Sequence, residues 1–265
     1  MTPERRPEPF WNPTYRVCRD NIVRLARAHP GTWEWPVPAC PGWNVRDVVA
    51  HLLEVCARAV AEAPWSAVLP PALAPDAPLP QLLCYWEQLD GALAEALERT
   101  PWLRRGMMLL DVFSHELDLR GALDLPVPRE HPAFADTLEL AAMGFTMSVN
   151  AHHLPALRIE AAGREWPAGE GGPVTSLRGP GLEVFRALTG RRTLAQIRAL
   201  SWSAAPEPWL PAFAWGPFVP PARPVESGTQ AGERRLWFLP PSLSSGVVAQ
   251  ADVRRDAVPQ PRASR

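Results

Sequence analysis

The chain has no lysine, and all 27 of its basic residues are arginines. This absence excludes Schiff-base catalysis by a lysine amine and the lysine of a phosphate-binding P-loop. The 28 acidic residues balance the arginines, and the formal net charge is −1. Proteins that bind nucleic acid usually carry a clustered excess of basic residues. We therefore expect no nucleic-acid partner.

Cysteines and long apolar runs are also scarce. The four cysteines include no C-x-x-C pair, so neither a zinc ribbon nor a thioredoxin-type motif is present. Few, scattered cysteines in a long chain are typical of reduced, cytosolic proteins. The first residues lack the apolar core of a secretory signal, and no apolar run approaches the ~20 residues that span a bilayer. The sequence thus predicts a cytoplasmic protein that does not enter a membrane.

The first half of the 265-residue chain has the pattern of five helices. Asn12 followed by Pro13 is a typical helix start, and Asn44 with Asp47 three residues later resembles a capping box. Loops of unequal length, among them a proline-rich linker over 69–80, connect the helices. This pattern indicates a mainly α protein built on an up-down four-helix bundle. The predicted helices cover 12–28, 44–63, 81–99, 106–123 and 132–152.

The pattern changes after Pro155. Residues 156–162 and 173–179 are predicted strands, and 163–173 a hairpin-like loop between them. Helical periodicity follows over 182–189, and Gly190 stands where a C-terminal glycine cap belongs. We predict three parts: a bundle over 10–154, a small α+β domain over 155–203, and a proline-rich, extended, partly disordered tail over 204–265 with little to bury.

His51 is the first candidate for chemistry. It shares a face of the second predicted helix with Val48 and Val55, so its imidazole is expected to point into the bundle. The alternative is a core histidine that only makes hydrogen bonds, which is the usual role of a buried histidine.

Asp111 and His115 form the second candidate. They lie four residues apart on one predicted helix, so their side chains share a face and can chelate one cation. The alternative is an Asp–His pair on a solvated face, but the apolar residues around it favour burial. With His51, the pair would supply three protein ligands, the number that leaves a catalytic zinc ion one open position.

Other polar residues have weaker claims. Asp118 either orients a ligand histidine or forms a surface pair with Arg120. Arg191 and Arg192 could meet an anionic ligand, although a solvated face is the simpler interpretation. His131 flanks a proline and is expected to mark a helix boundary.

Three segments carry a resemblance to a known family. PACPGWNVRDVVAHLLEV and the later DVFSHELDLRGALDLP resemble the maleylpyruvate isomerase-like, mycothiol-dependent family of the DinB-like superfamily. IEAAGREWPAGEGGPVTSLRGPGLEVFRALTGRR is similar to that family's C-terminal sterol-carrier-like domain. The resemblance implies a DinB-like bundle and a metal site at His51, Asp111 and His115. Two positions depart from the family pattern: Asp111 replaces a glutamate, and Leu117 replaces a tryptophan found in many members.

The resemblance also implies a function. A divalent ion, expected to be zinc, would hold a low-molecular-weight thiol as thiolate. The thiolate would then attack a small electrophilic substrate. The thiol would be mycothiol or bacillithiol, and the reaction an isomerisation or a transfer. Two alternatives stay open: a metal-binding stress-response protein without turnover, and a metal-dependent hydrolase. Catalytic and thiol-binding residues are unassigned, and the protein is expected to be a monomer or homodimer.

Overall fold

Eight α-helices and four β-strands form the part of the chain that the structure describes. The structure is a computed structural model that describes residues 11–62, 74, 76–128 and 130–226. The helices are α1 (Trp11–Ala28), α2 (Val45–Ala61), α3 (Leu79–Gln88), α4 (Asp90–Arg99), α5 (Trp102–Ala122), α6 (Phe134–Ala151), α7 (Gly181–Leu188) and α8 (Leu194–Arg198). The strands are β1 (Leu157–Ala161), β2 (Arg164–Ala168), β3 (Thr175–Arg178) and β4 (Ser201–Trp202).

Helix α2 begins at the predicted capping box. The Asn44 side chain accepts a hydrogen bond from the Asp47 backbone N–H at 2.9 Å, and the Asp47 carboxylate accepts one from the Asn44 N–H at 3.0 Å. These two bonds satisfy backbone donors that the first helical turn leaves without partners. They also fix where the apolar stripe of α2 starts, and so which face of the helix carries His51.

Helix α5 is the central helix of the bundle and packs against α1, α2 and α6. It begins at Trp102 rather than at the predicted Gly106. The helix predicted over 81–99 is divided at Leu89 into α3 and α4. The Leu89 side chain is buried, and Gly91, a poor helix former, follows two residues later. The break therefore lies next to a residue of low helix propensity, Gly91, and at a leucine whose side chain is almost fully buried.

The sheet has the strand order β2-β1-β3-β4. Strands β1 and β2 are antiparallel, β1 and β3 are parallel, and β3 and β4 are antiparallel. Residues 164–168, predicted as part of a loop, form strand β2. Ala162 and Gly163 both have positive φ, at 50° and 72°, which is the conformation of a two-residue hairpin turn. Helix α6 packs on β2 and α7, so the sheet lies against the bundle.

Residues 204–226 are packed, and the expectation that this stretch has little to bury is wrong. A 3₁₀ helix runs over Glu207–Phe213, and its Trp209 and Phe213 are buried. The Trp209 indole N–H donates to the Pro155 carbonyl at 2.7 Å, and the Phe213 ring lies 4.6 Å from that of Phe145. Isolated aromatic anchors of this kind bury a large area. They show no helical or strand periodicity, and the expectation for this stretch was based on periodicity alone.

Some expectations fall outside the described residues. These are the partial disorder predicted for the end of the chain, where 227–265 are not described, and half of the proline-rich linker, 69–73 and 75. The division into domains at 154 and 203 stays a prediction; every described residue belongs to the unit Met1–Gly228. Among the described helices, none has the length and apolar character needed to cross a membrane.

Candidate metal centre

Two helices bring His51, Asp111 and His115 to one place. His51 lies on α2, while Asp111 and His115 lie one turn apart on α5 and share a face. One donor atom from each side chain lies within 4.8 Å of the other two. The buried valines and leucines of α2 pack this helix against α5, so the apolar pattern of α2 is what assembles the group.

The hydrogen bonds within the group are long, and their spacing fits a bound ion. His51 Nε2 is 3.3 Å from Asp111 Oδ2, and His115 Nε2 is 3.4 Å from Asp111 Oδ1. A charge-assisted bond between an imidazole and a carboxylate is typically about 2.7–2.9 Å long. Ligand atoms that each lie ~2.1 Å from a tetrahedral zinc ion are about 3.4 Å apart. Two imidazole nitrogens and a carboxylate oxygen at this spacing therefore suit a divalent ion such as Zn²⁺.

Asp118 orients the ring of His115. Its Oδ2 lies 3.1 Å from His115 Nδ1, so this nitrogen donates its proton to the carboxylate. The other nitrogen, Nε2, then faces Asp111. A carboxylate behind a histidine is usual at metal sites, because it fixes the tautomer that leaves the far nitrogen able to coordinate. Asp118 thus contacts His115 as the sequence analysis considered, whereas Arg120 pairs with Glu116 instead.

Two buried arginines hold Asp118. Arg186 Nη1 and Arg191 Nη2 each donate to its carboxylate at 2.7 Å. Burial by itself would raise the pKa of Asp118, but the charges of Arg191 and Arg186 keep that pKa well below its usual range. The carboxylate behind His115 is therefore ionised, although no part of its side chain is exposed.

The interpretation of Arg191 and Arg192 as a solvated face is wrong. Both are buried; Arg191 binds Asp118, and Arg192 Nε donates to Glu183 at 2.8 Å. No role was predicted for Arg186. It lies 68 residues from Asp118, so no local spacing connects the two. The one available signal was an arginine on the apolar helix α7, where a charged residue needs a buried partner.

Burial and neighbouring polar groups also have opposite effects on the pKa values of the candidate ligands Asp111 and His115. Burial would raise the pKa of Asp111, but hydrogen bonds from His115 and His51 hold it well below the usual value. Burial would lower the pKa of His115, yet its hydrogen bonds to Asp111 and Asp118 raise it well above the usual value. Without an ion, a proton therefore lies on the Nε2 nitrogen that faces Asp111. A divalent ion that binds this nitrogen displaces the proton.

The group lines a cavity of about 630 Å³. Trp43 forms part of the wall, with its ring centre 5.0 Å from that of His51 and 6.1 Å from that of His115. The Cys40 thiol also lines the cavity and lies 3.6 Å from His115 Nδ1. The remaining walls come from α2, α5 and residues late in the chain, among them Val55, Arg104, Met107, Met108, Arg191 and Phe218. A cavity of this volume can hold a small ligand.

Within the described residues, two further groups of potential ligands are occupied in other ways. In the group Cys40, His115 and Asp118, both oxygens of Asp118 already bind Arg186 and Arg191. In the second group, Cys18, Glu116 and His131, the Glu116 carboxylate already binds His131, Asn21 and Arg120. Of the three groups found among the described residues, His51, Asp111 and His115 form the one whose members all line the cavity.

His131 is a buried structural residue and not only the helix boundary that was expected. The Ala133 backbone N–H donates to His131 Nδ1 at 3.1 Å, so the ring proton is on Nε2, which lies 3.0 Å from Glu116 Oε2. Asn21 and Arg120 also donate to Glu116, at 3.0 and 2.9 Å. Since Nε2 carries the proton that Glu116 accepts, this nitrogen has no lone pair for a metal.

Comparison with known proteins agrees with the fold. No family model matches the chain, and no curated protein sequence matches it. Two solved structures are similar: the mycothiol-dependent maleylpyruvate isomerase and a variant of it with one histidine replaced by alanine. Their TM-scores are 0.50 and 0.52, and their identities 15% and 14%. Each match covers 75% of this chain and 94% of the other.

At such low identity the likeness shows the fold. The chain is a mainly helical protein with a small four-stranded sheet on its C-terminal side, and it has the maleylpyruvate isomerase fold. The predicted fold class is thereby confirmed, and the resemblance seen in the sequence is confirmed at the level of the fold.

Proposed function

We propose that this protein is a metal-dependent thiol transferase or isomerase that uses a low-molecular-weight thiol. His51, Asp111 and His115 are the proposed ligands of one divalent ion, and zinc is the proposed metal. The observation that carries the proposal is the convergence of three donor atoms within 4.8 Å on the wall of a cavity. The likeness to the mycothiol-dependent isomerase supports mycothiol as the thiol, with bacillithiol as the second choice.

The residues around the proposed metal site have different roles. A bound divalent ion supplies positive charge that stabilises a thiolate at neutral pH. Asp118 keeps the His115 proton on Nδ1, so that Nε2 is available as a ligand, and Arg186 and Arg191 keep Asp118 ionised. Trp43 and the apolar side chains of the wall give the space beside the proposed ligands an apolar border.

The size and lining of the cavity support a small-molecule site. Its volume of about 630 Å³ lies within the range of roughly 300–1,000 Å³ that is common for small-molecule sites. Much of its wall is apolar, from Val55, Met107 and Met108. Such a wall supports a small electrophilic substrate with an apolar part, placed beside the thiol.

Calorimetry of the full-length protein tests the proposal. Mycothiol is titrated into the Zn²⁺-loaded and the metal-free protein, in two buffers of different ionisation enthalpy. We expect binding only to the loaded protein, with release of one proton per thiol, because the thiol has an ordinary pKa near ~8.5 and loses its proton when the cation stabilises the thiolate. The variant His51→Ala is the control, since it removes a proposed ligand and keeps the cavity.

Two outcomes would contradict the proposal. Binding of mycothiol that is the same with and without zinc would remove the metal from the reaction. Zinc binding without any thiol binding would favour the hydrolase or the stress-response protein without turnover.

A further inference from the structure

The segment Trp215–Glu226, here named the C-terminal strap, has no role in the proposed chemistry. It begins on the bundle. The Trp215 indole N–H donates to the Leu188 carbonyl at 2.8 Å, and the backbones of Trp215 and Phe218 bond to each other in both directions at 2.9 Å. A Cβ added at Gly144 of α6 would lie 2.2 Å from the Trp215 ring. Helix α6 therefore has a glycine where the strap makes its closest approach.

The middle of the strap is a wall of the cavity. Pro217, Phe218 and Val219 line it together with Gly190 and Arg191. A Cβ at Gly190 would lie 2.7 Å from the Val219 backbone nitrogen, and Gly190 has a φ of +69°, so both contact and conformation favour glycine. The strap is thus seated closely against the turn that leads to Arg191.

The strap also contacts both arginines that hold Asp118. The Arg191 guanidinium lies 5.6 Å from the centre of the Phe218 ring, within the range of a cation–π contact. At the far end of the strap, the Glu226 carboxylate accepts hydrogen bonds from Arg186 and Arg192. Arg186 therefore binds Asp118 with one nitrogen and Glu226 with another. These contacts fasten the strap at both ends and leave its middle at the cavity.

We propose that the C-terminal strap is the specificity-determining wall of the cavity, and that Val219 sets the size of the thiol that can reach the metal centre. This inference rests on the proposed function. Val219 lines the cavity and is still 65% exposed, which places it at the opening rather than in the interior. A bulkier side chain at this position narrows the opening without any need to repack the core.

A pair of matched variants tests the inference. Val219→Trp adds a large side chain at the opening, and Val174→Trp is the control, because Val174 is equally exposed at 63% and does not line the cavity. Mycothiol, a large thiol, and 2-mercaptoethanol, a small one, are titrated by calorimetry into the Zn²⁺-loaded proteins. We expect V219W to weaken mycothiol binding about tenfold relative to 2-mercaptoethanol, a size that steric exclusion from a pocket commonly produces. V174W should bind both thiols like the wild type.

The outcomes separate this inference from the proposed function. If the wild type binds both thiols and V219W keeps the ratio of the two affinities within about threefold of the wild-type ratio, the strap does not select by size and the inference is wrong. If the loaded wild type binds neither thiol, the proposed function is wrong and the inference with it. Melting temperature and zinc affinity of V219W are measured alongside, so that a folding defect is recognised as a loss of binding for both thiols equally.

Discussion

Helix α5 carries a histidine–carboxylate group on each of two faces, and the two groups differ in where the imidazole proton lies. In the Glu116 group, the Ala133 N–H occupies His131 Nδ1, so the proton is on Nε2 and points at the carboxylate. In the Asp111 group, Asp118 accepts the His115 Nδ1 proton, so a proton on Nε2 is a second one, and its loss leaves a neutral imidazole with a lone pair towards Asp111.

This difference separates a structural histidine from a candidate ligand. Around Glu116 every strong donor has an acceptor in direct contact, and the carboxylate side chain is fully buried. Around Asp111 two imidazole nitrogens approach one carboxylate, and since Asp118 accepts the Nδ1 proton of His115, its Nε2 faces Asp111 favourably only with a second proton or a metal ion. The partner of the second ring nitrogen is therefore more informative than the presence of a histidine beside an acid.

The largest effect is expected from His131→Ala. The change removes a proton donor from the buried Glu116 and an acceptor from the Ala133 N–H, and leaves a space in the core. We expect the free energy of unfolding to fall by roughly 3 kcal/mol, because the buried Glu116 carboxylate loses a hydrogen-bond donor and the core gains a cavity. Denaturant unfolding measures the change, and zinc affinity should stay at the wild-type value.

The exposed His152 provides the control for that variant. His152→Ala removes an imidazole of the same size from the surface, where the expected change is within about 0.5 kcal/mol. If H131A lost its zinc while folding normally, the two groups would have exchanged roles, and the argument from the ring protons would be wrong.

His51→Ala should give the reverse result. His51 is about one-third exposed, so its removal leaves little buried space and should cost little stability. Zinc affinity should fall by more than about 100-fold, because the loss of a ligand exceeds the 10–100-fold range of residues that only orient one. Competition with a chromophoric chelator measures the affinity. An H51A protein purified with a full equivalent of zinc would exclude this site.

The convergence of His51, Asp111 and His115 could be predicted because it depends on local spacing. His51 follows from the apolar stripe of α2, and Asp111 with His115 from a separation of one helical turn. The residues behind them could not be predicted in this way. Arg186 and Arg191 are 68 and 73 residues from Asp118, and only the packing of α7 on the bundle brings them to it.

The fold divides along the same line. The bundle helices repeat their apolar residues at regular intervals, and their existence was predictable, although α3 and α4 were merged. Strand β2, with its WP pair, and the aromatic anchors after residue 203 have no such period. They are held by single tight contacts, such as the indole of Trp215 on Gly144, whose partners are far away in the sequence.

A smaller and more specific effect is expected from Asp118→Asn, compared with Glu116→Gln. Both carboxylates lie on α5 with fully buried side chains, and both bind a histidine and an arginine. Each change keeps the shape and removes the charge, so both variants should lose stability, because arginines near each site lose their counter-charge. Only D118N removes the anion that keeps the His115 proton on Nδ1. Zinc affinity should therefore fall by about 10–100-fold in D118N, as is typical for the residue behind a metal-binding histidine, and should stay at the wild-type value in E116Q.

Zinc affinity is measured by chelator competition, and the free energy of unfolding by denaturant, on both variants. Together they distinguish a positioning role of Asp118 from a general loss of helix stability. Equal losses of zinc affinity in the two would mean that Asp118 acts only through stability, and the contrast between the two faces of α5 would then not extend beyond the ligands themselves.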